Sequence, residues 1–199
     1  MLKFNFDFLK RISQEEKLLN IPNVLTLFRL LCVPVIVYAM LNSFWGVAFW
    51  TIIVASLTDV ADGYIARNFN QQTFLGACLD PVADKVLVLS VYFTLAFAQS
   101  PLFTIPLWFV LLLLLKELVL IFGAIFIYTK KGGLEVRPSI LGKLTMFVQV
   151  IFIFWLFACY FFEWVPVKTY YAMLGTVLVL VLSALYQYLM VGVKQFLSK

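Results

Sequence analysis

The chain of 199 residues contains no histidine. That removes histidine triads, histidine metal sites and imidazole proton shuttles together. Cysteine is scarce: Cys32, Cys78 and Cys159 stand apart in apolar surroundings and form no CxxC pair. They read as small core residues, and a disulfide scaffold is excluded. Charge is scarce as well. Only 13% of residues are Asp, Glu, Lys or Arg, where a soluble domain carries about a quarter. A disordered chain and an ordinary soluble domain are both excluded.

Apolar residues fill the gap. They make up 64% of the chain, with 21 Phe and a mean hydropathy of +1.01. Such a surplus cannot be hidden inside a small soluble core, so lipid is the solvent for most of the chain. Apolar segments run at about 21–42, 45–65, 79–99, 102–128, 140–162 and 169–193. Each is long enough to cross a bilayer as a helix. Strand alternation and internal repeats are absent. The expected class is an all-α polytopic membrane protein, a bundle of six transmembrane helices over 21–199.

Residues 1–20 precede the first run and are polar, without the pattern of a cleaved signal. Phe4, Phe8, Leu9, Ile12, Leu18 and Leu19 alternate with charges there, as in an amphipathic helix lying on a membrane surface or in a solvated tail. Pro22 suits a first helical turn. Pro34 falls inside the first span, where a kink can form. Pro101, Pro106 and Pro166 fall near expected ends, and Gly132-Gly133 marks a loop.

The net charge of +5 has a direction. With the N-terminus inside, Lys3, Lys10, Arg11, Lys17, Arg67, Lys130, Lys131, Arg137, Lys143, Lys194 and Lys199 all fall on the cytoplasmic side, and only Lys168 falls opposite. An even number of spans with both termini inside satisfies the positive-inside rule. The basic face suits anionic lipid head groups rather than nucleic acid.

Carboxylates in or beside hydrocarbon are costly and mark function by default. Asp59 and Asp62 close the second apolar run, and Asp80 and Asp84 open the third. Each pair shares a helix face, being three and four residues apart. A short loop folds the two helices antiparallel, so the pairs can meet at one end of the bundle. Four ionised carboxylates cannot sit together unpaired. Either some are protonated, or divalent cations neutralise them. An all-oxygen donor set favours Mg²⁺ or Mn²⁺ over Zn²⁺. Gly63, Ala66, Gly76 and Ala77 are small and permit close approach of helices or of a flat ligand. Arg67 can pair with a phosphate or snorkel to the interface.

Asp59, Asp62-Gly63, Ala66-Arg67, Gly76, Asp80 and Asp84 form eight set positions. In identity and spacing they resemble the signature of the CDP-alcohol phosphotransferase family. The segment Asn20 to Thr26 with Arg29 resembles the family's first-span motif. The resemblance implies that Asp59, Asp62, Asp80 and Asp84 ligate two divalent ions and that Asp84 is the general base. It implies that Gly63, Ala66 and Gly76 make room for the cytidine nucleotide, with Asp62, Arg67, Asn23 and Thr26 also on the CDP-diacylglycerol side. The implied reaction moves a phosphatidyl group from CDP-diacylglycerol to an alcohol and releases CMP, in a homodimer in a bacterial-type inner membrane.

Two branches of the family are closest, one using glycerol 3-phosphate and one using phosphatidylglycerol. The stretch from Leu79 to Val88 is typical of both. Glycerol 3-phosphate is the expected acceptor, and it needs cations for its phosphate: Lys116, Arg137 and Lys143 are the candidates. Each also reads as an inner-face topology charge, and Lys116-Glu117 also reads as an internal ion pair. A transporter with intramembrane acids is the non-enzyme alternative.

Overall fold

A computed structural model describes residues 21–68, 74–98, 103–131 and 140–197. Six helices follow one another: α1 (Ile21–Leu41), α2 (Trp45–Asn68), α3 (Phe74–Phe97), α4 (Leu107–Lys131), α5 (Ile140–Phe161) and α6 (Val167–Leu197). No strand occurs among the described residues. Four helices are long and apolar enough to cross a membrane, over Pro22–Leu41, Trp45–Ile65, Ile140–Phe161 and Val167–Met190. The secondary structure of the described residues is all helical, as expected from lipid-facing backbone that must satisfy its own hydrogen bonds. The N-terminal amphipathic segment and the Gly132-Gly133 loop lie outside the described residues.

Two compact units divide the chain after Ser90, within α3. In the first, α1 and α2 form an antiparallel hairpin. Cys32, Ile36 and Met40 of α1 are buried, as are Ala48, Ile52 and Ala55 of α2. The spacing of three and four residues makes each set one helix face. Ala48 and Ala55, both with no exposed surface, let the backbones come close. The opposite side of α1 is apolar too: Leu27, Leu31 and Tyr38 are exposed. A helix apolar on all sides is at home in lipid. Pro34 lies inside α1, and the helix runs on through it.

The hairpin turn is set by backbone bonding. Phe44 N–H donates to Ala39 C=O at 2.7 Å, and Ser43 N–H donates to Met40 C=O at 3.1 Å. This is the Schellman ending, with Ser43 left-handed at φ 62°. The same device closes α5. Trp164 N–H donates to Cys159 C=O at 3.0 Å and Glu163 N–H to Tyr160 C=O at 3.3 Å, with Glu163 at φ 48°. Neither position carries the glycine that usually marks this turn.

In the second unit α6 packs against α4 and α5. Its core is aromatic. Phe103 stacks on Tyr170 with centroids 4.6 Å apart, and the Tyr170 hydroxyl donates to Thr104 C=O at 3.0 Å. The Tyr92 hydroxyl donates to Gln149 C=O at 2.9 Å. Residues 103–106 stay outside a helix, and α4 starts after Pro106, whose carbonyl accepts Phe109 N–H at 3.0 Å. Apolar character alone places that start at 102. Pro106 moves it, because the residue before a proline avoids the helical region. Similarly, α3 starts at Phe74, ahead of the apolar run, since backbone helicity extends past the hydrocarbon-compatible stretch. Cys32 and Cys159 are buried free thiols; Cys78 lies outside the described side chains.

Candidate functional site

The buried stripe of α2 does not end with its apolar residues. Ala48, Ile52 and Ala55 are followed on the same face by Asp59 and Asp62. The matching stripe of α1 carries Thr26 and Arg29 before it reaches Cys32 and Ile36. Arg29 lies 12 residues before Leu41, and Asp59 lies 14 residues after Trp45. At about 1.5 Å per residue the hairpin brings them to nearly the same height.

Arg29 is the centre of the site. It is 1% exposed. One terminal nitrogen pairs with Asp59 Oδ1 at 2.8 Å and also with Asp84 Oδ1. The other pairs with Asp62 Oδ2. One guanidinium thus gathers acids from α2 and α3. The fourth acid is held from the same face of α1: the Thr26 hydroxyl, fully buried, donates to Asp80 Oδ1. It also lies 3.1 Å from Pro22 C=O. The expected meeting of the two aspartate pairs occurs, and residues 26 and 29 of α1 join it.

Accessibility is graded across the cluster. The Asp62 side chain is 3% exposed, against 31% for Asp84 and 42% for Asp59. Asp62 forms the floor, and Asp59 and Asp84 face an open side. Asn23 is buried and Gly63 half-buried. The surroundings of Ala66, Arg67 and Gly76 lie outside the described residues.

Among the described residues, no group of three His, Cys, Asp or Glu side chains is disposed to hold an ion as it stands; three of the acids pair with Arg29 and the fourth with Thr26. The donor set nevertheless fits divalent cations. All four acids offer oxygen, and the single charge of Arg29 does not by itself balance four carboxylates. The Arg29 Nε is buried without a hydrogen-bond partner, so the protein's own cation is incompletely satisfied in this arrangement.

The acceptor candidates are less tightly grouped. Lys116 Nζ lies 2.7 Å from Glu117 Oε1, with side chains 3% and 9% exposed. The internal ion pair expected as one reading of these neighbours is present. Lys143 is exposed, and Arg137 lies outside the described residues. In the sequence Arg29 belongs to a motif but carries no assigned role. Its signal is that it is a lone cation within the apolar run of α1, in a chain with four acids to neutralise.

Apolar helices that close around a graded cluster of four acids define an integral membrane protein with a polar site built into its helices. The profile of the CDP-alcohol phosphatidyltransferase family matches residues 19–192, so the chain belongs to that family of enzymes, and both the aspartate signature and Arg29 fall inside the match. A CDP-diacylglycerol–glycerol-3-phosphate 3-phosphatidyltransferase of Aquifex aeolicus is 36% identical over 133 residues, covering 66% of this chain and 72% of that protein. A protein of the same description from Wigglesworthia glossinidia brevipalpis is 34% identical over 142 residues, covering 68% and 75%. The cardiolipin synthase (CMP-forming) of Rattus norvegicus is 32% identical over 159 residues, covering 71% of this chain and 51% of its own length.

Proposed function

We propose that the protein transfers the phosphatidyl group of CDP-diacylglycerol to glycerol 3-phosphate, giving phosphatidylglycerophosphate and CMP. The observation that carries this reading is the convergence of Asp59, Asp62 and Asp84 on one centre in a chain of this family. The descriptions of the Aquifex and Wigglesworthia relatives support the acceptor.

In this reading Asp59, Asp62, Asp80 and Asp84 hold two divalent ions, Mg²⁺ or Mn²⁺. When bound, these supply positive charge against the diphosphate and the departing CMP. Asp84, on the open side, takes the proton of the acceptor hydroxyl. The hydroxyl oxygen bonds to the phosphatidyl phosphorus, and the bond from that phosphorus to the CMP oxygen breaks. Gly63, Ala66 and Gly76 leave room for the nucleotide. Arg67 and Asn23 serve its phosphates, and Thr26 acts through Asp80. Lys116, Arg137 and Lys143 receive the acceptor phosphate.

The same reading has α3 and α4 crossing the membrane as well. At 24 and 25 residues they are about 36 Å long, enough for a hydrocarbon core of about 30 Å. Six spans place both termini and the aspartates on the cytoplasmic side of a bacterial-type inner membrane, with residues 1–20 lying along its surface. The active form is a homodimer.

A second reading, phosphatidylglycerol as acceptor and cardiolipin as product, draws on one observation. Lys116 is already engaged by Glu117, which weakens the case for a site built to hold a free phosphate. The description of the rat relative accords with it.

The test is CMP release by the detergent-purified protein with CDP-diacylglycerol and Mg²⁺, given glycerol 3-phosphate, phosphatidylglycerol or no acceptor, with and without EDTA. Release that requires glycerol 3-phosphate and Mg²⁺ supports the first reading. Release that requires phosphatidylglycerol replaces it with the second. A folded protein that releases no CMP with either acceptor refutes both.

A further inference from the structure

Arg29 engages one oxygen of each of three acids that would hold a divalent ion. Asp59 Oδ1, Asp62 Oδ2 and Asp84 Oδ1 all face its guanidinium. A guanidinium has only donors and cannot ligate a metal, and it cannot withdraw its charge by losing a proton. Arg29 and the ions therefore compete for the negative charge of the same carboxylates. Resting on the metal-dependent reading above, we infer that Arg29 is the counter-cation of the metal-free site, and that divalent ions load by displacing it from Asp59 and Asp84.

Three observations carry this. Four acids brought together by two helices need a cation whenever no metal is present. Arg29 meets that need from within the fold, buried and joined to acids of both α2 and α3. The arrangement leaves the Arg29 Nε without a partner, so a move of the guanidinium forfeits no hydrogen bond at that atom. A route in also exists: the Asp59 and Asp84 side chains are 42% and 31% exposed, so an incoming ion can reach them before it reaches Asp62. Arg29 is thus a positioning residue that acts through the carboxylates. It allows the acid cluster to form and survive without metal, at the cost of weakening the first binding of an ion.

The test uses the full chain in detergent, stripped with EDTA, with Mn²⁺ alone as the probe. Bound Mn²⁺ is read by loss of the free-ion EPR signal, and thermal unfolding is followed in parallel. Arg29→Gln is expected to bind Mn²⁺ at least about tenfold more tightly than the unaltered protein, because a full positive charge has left the site. Its metal-free form is expected to unfold at a lower temperature, and Mn²⁺ to restore most of the difference. Unchanged or weaker Mn²⁺ binding by Arg29→Gln overturns the inference and leaves the metal-dependent reading standing. If neither protein binds Mn²⁺, the metal-dependent reading falls and takes the inference with it. A measurement on the unaltered chain covers the case in which Arg29→Gln does not fold. With ¹⁵N-labelled arginine, Mg²⁺ is expected to shift the Arg29 guanidinium resonance, identified by its absence in Arg29→Lys. A resonance that does not move in Mg²⁺-bound protein overturns the inference.

Discussion

Arg29 and Asp84 are 55 residues apart in sequence and paired side chain to side chain in the fold. The same guanidinium reaches Asp59 and Asp62, so α1 belongs to the site as fully as the two helices that carry its acids. Mutual repulsion among the acids becomes a cross-link among three helices.

Asp84→Asn keeps an acceptor for Arg29 but removes the base. CMP release is expected to fall by about 10²- to 10⁴-fold, while the unfolding temperature changes little. Steady-state CMP release beside circular dichroism melting checks this. A variant that retains near-normal turnover removes Asp84 from its assigned role.

Thr26 is fully buried, and its hydroxyl is a donor to Asp80. Thr26→Val preserves shape and deletes that donor. Leaving the half-buried Asp80 carboxylate short of a partner costs roughly 1 kcal/mol, the low end of the range for a fully buried group. Thr26→Val is expected to lower both stability and CMP release, and Thr26→Ser to recover most of each. Equal behaviour of the two variants excludes a role for the hydroxyl.

Lys116 and Glu117 form an ion pair with both side chains at least nine-tenths buried. Removing one charge of such a pair costs roughly 3–5 kcal/mol, whereas removing both is far cheaper. Lys116→Met is therefore expected to be strongly destabilised, and Lys116→Met with Glu117→Leu to regain most of the loss. Thermal unfolding of the two single variants and the double variant closes the cycle. A double variant as unstable as the sum of the singles excludes direct coupling.

Ser43 and Glu163 hold left-handed backbone at two helix endings. A side chain there costs roughly 1–2 kcal/mol that glycine avoids, less the greater freedom glycine has when unfolded. Ser43→Gly and Glu163→Gly are each expected to raise the unfolding temperature, and Ser43→Val to lower it.

Much of this was legible before the fold. Continuous apolar runs announced helices in lipid, and all six helices overlap the expected segments. The spacing of Asp59, Asp62, Asp80 and Asp84 announced a shared site, because residues three or four apart must lie on one helix face. The misplacements have local causes. Pro106 delays α4, and α3 gains a turn that hydropathy does not register. The two Schellman turns were invisible because Ser43 and Glu163 stand where glycine is the usual signal.

Periodicity and composition are local properties, so the sequence by itself determined the solvent, the helical class and the acid spacing. Which cation would answer the acids was a different matter. Arg67 is near them in sequence and Arg29 is remote; the sequence left protonation and divalent metal open and did not single out Arg29. The partner was decided by hairpin height and by which stripe of α1 faces α2. Both depend on how closely alanine-lined helices pack, which only the tertiary structure specifies.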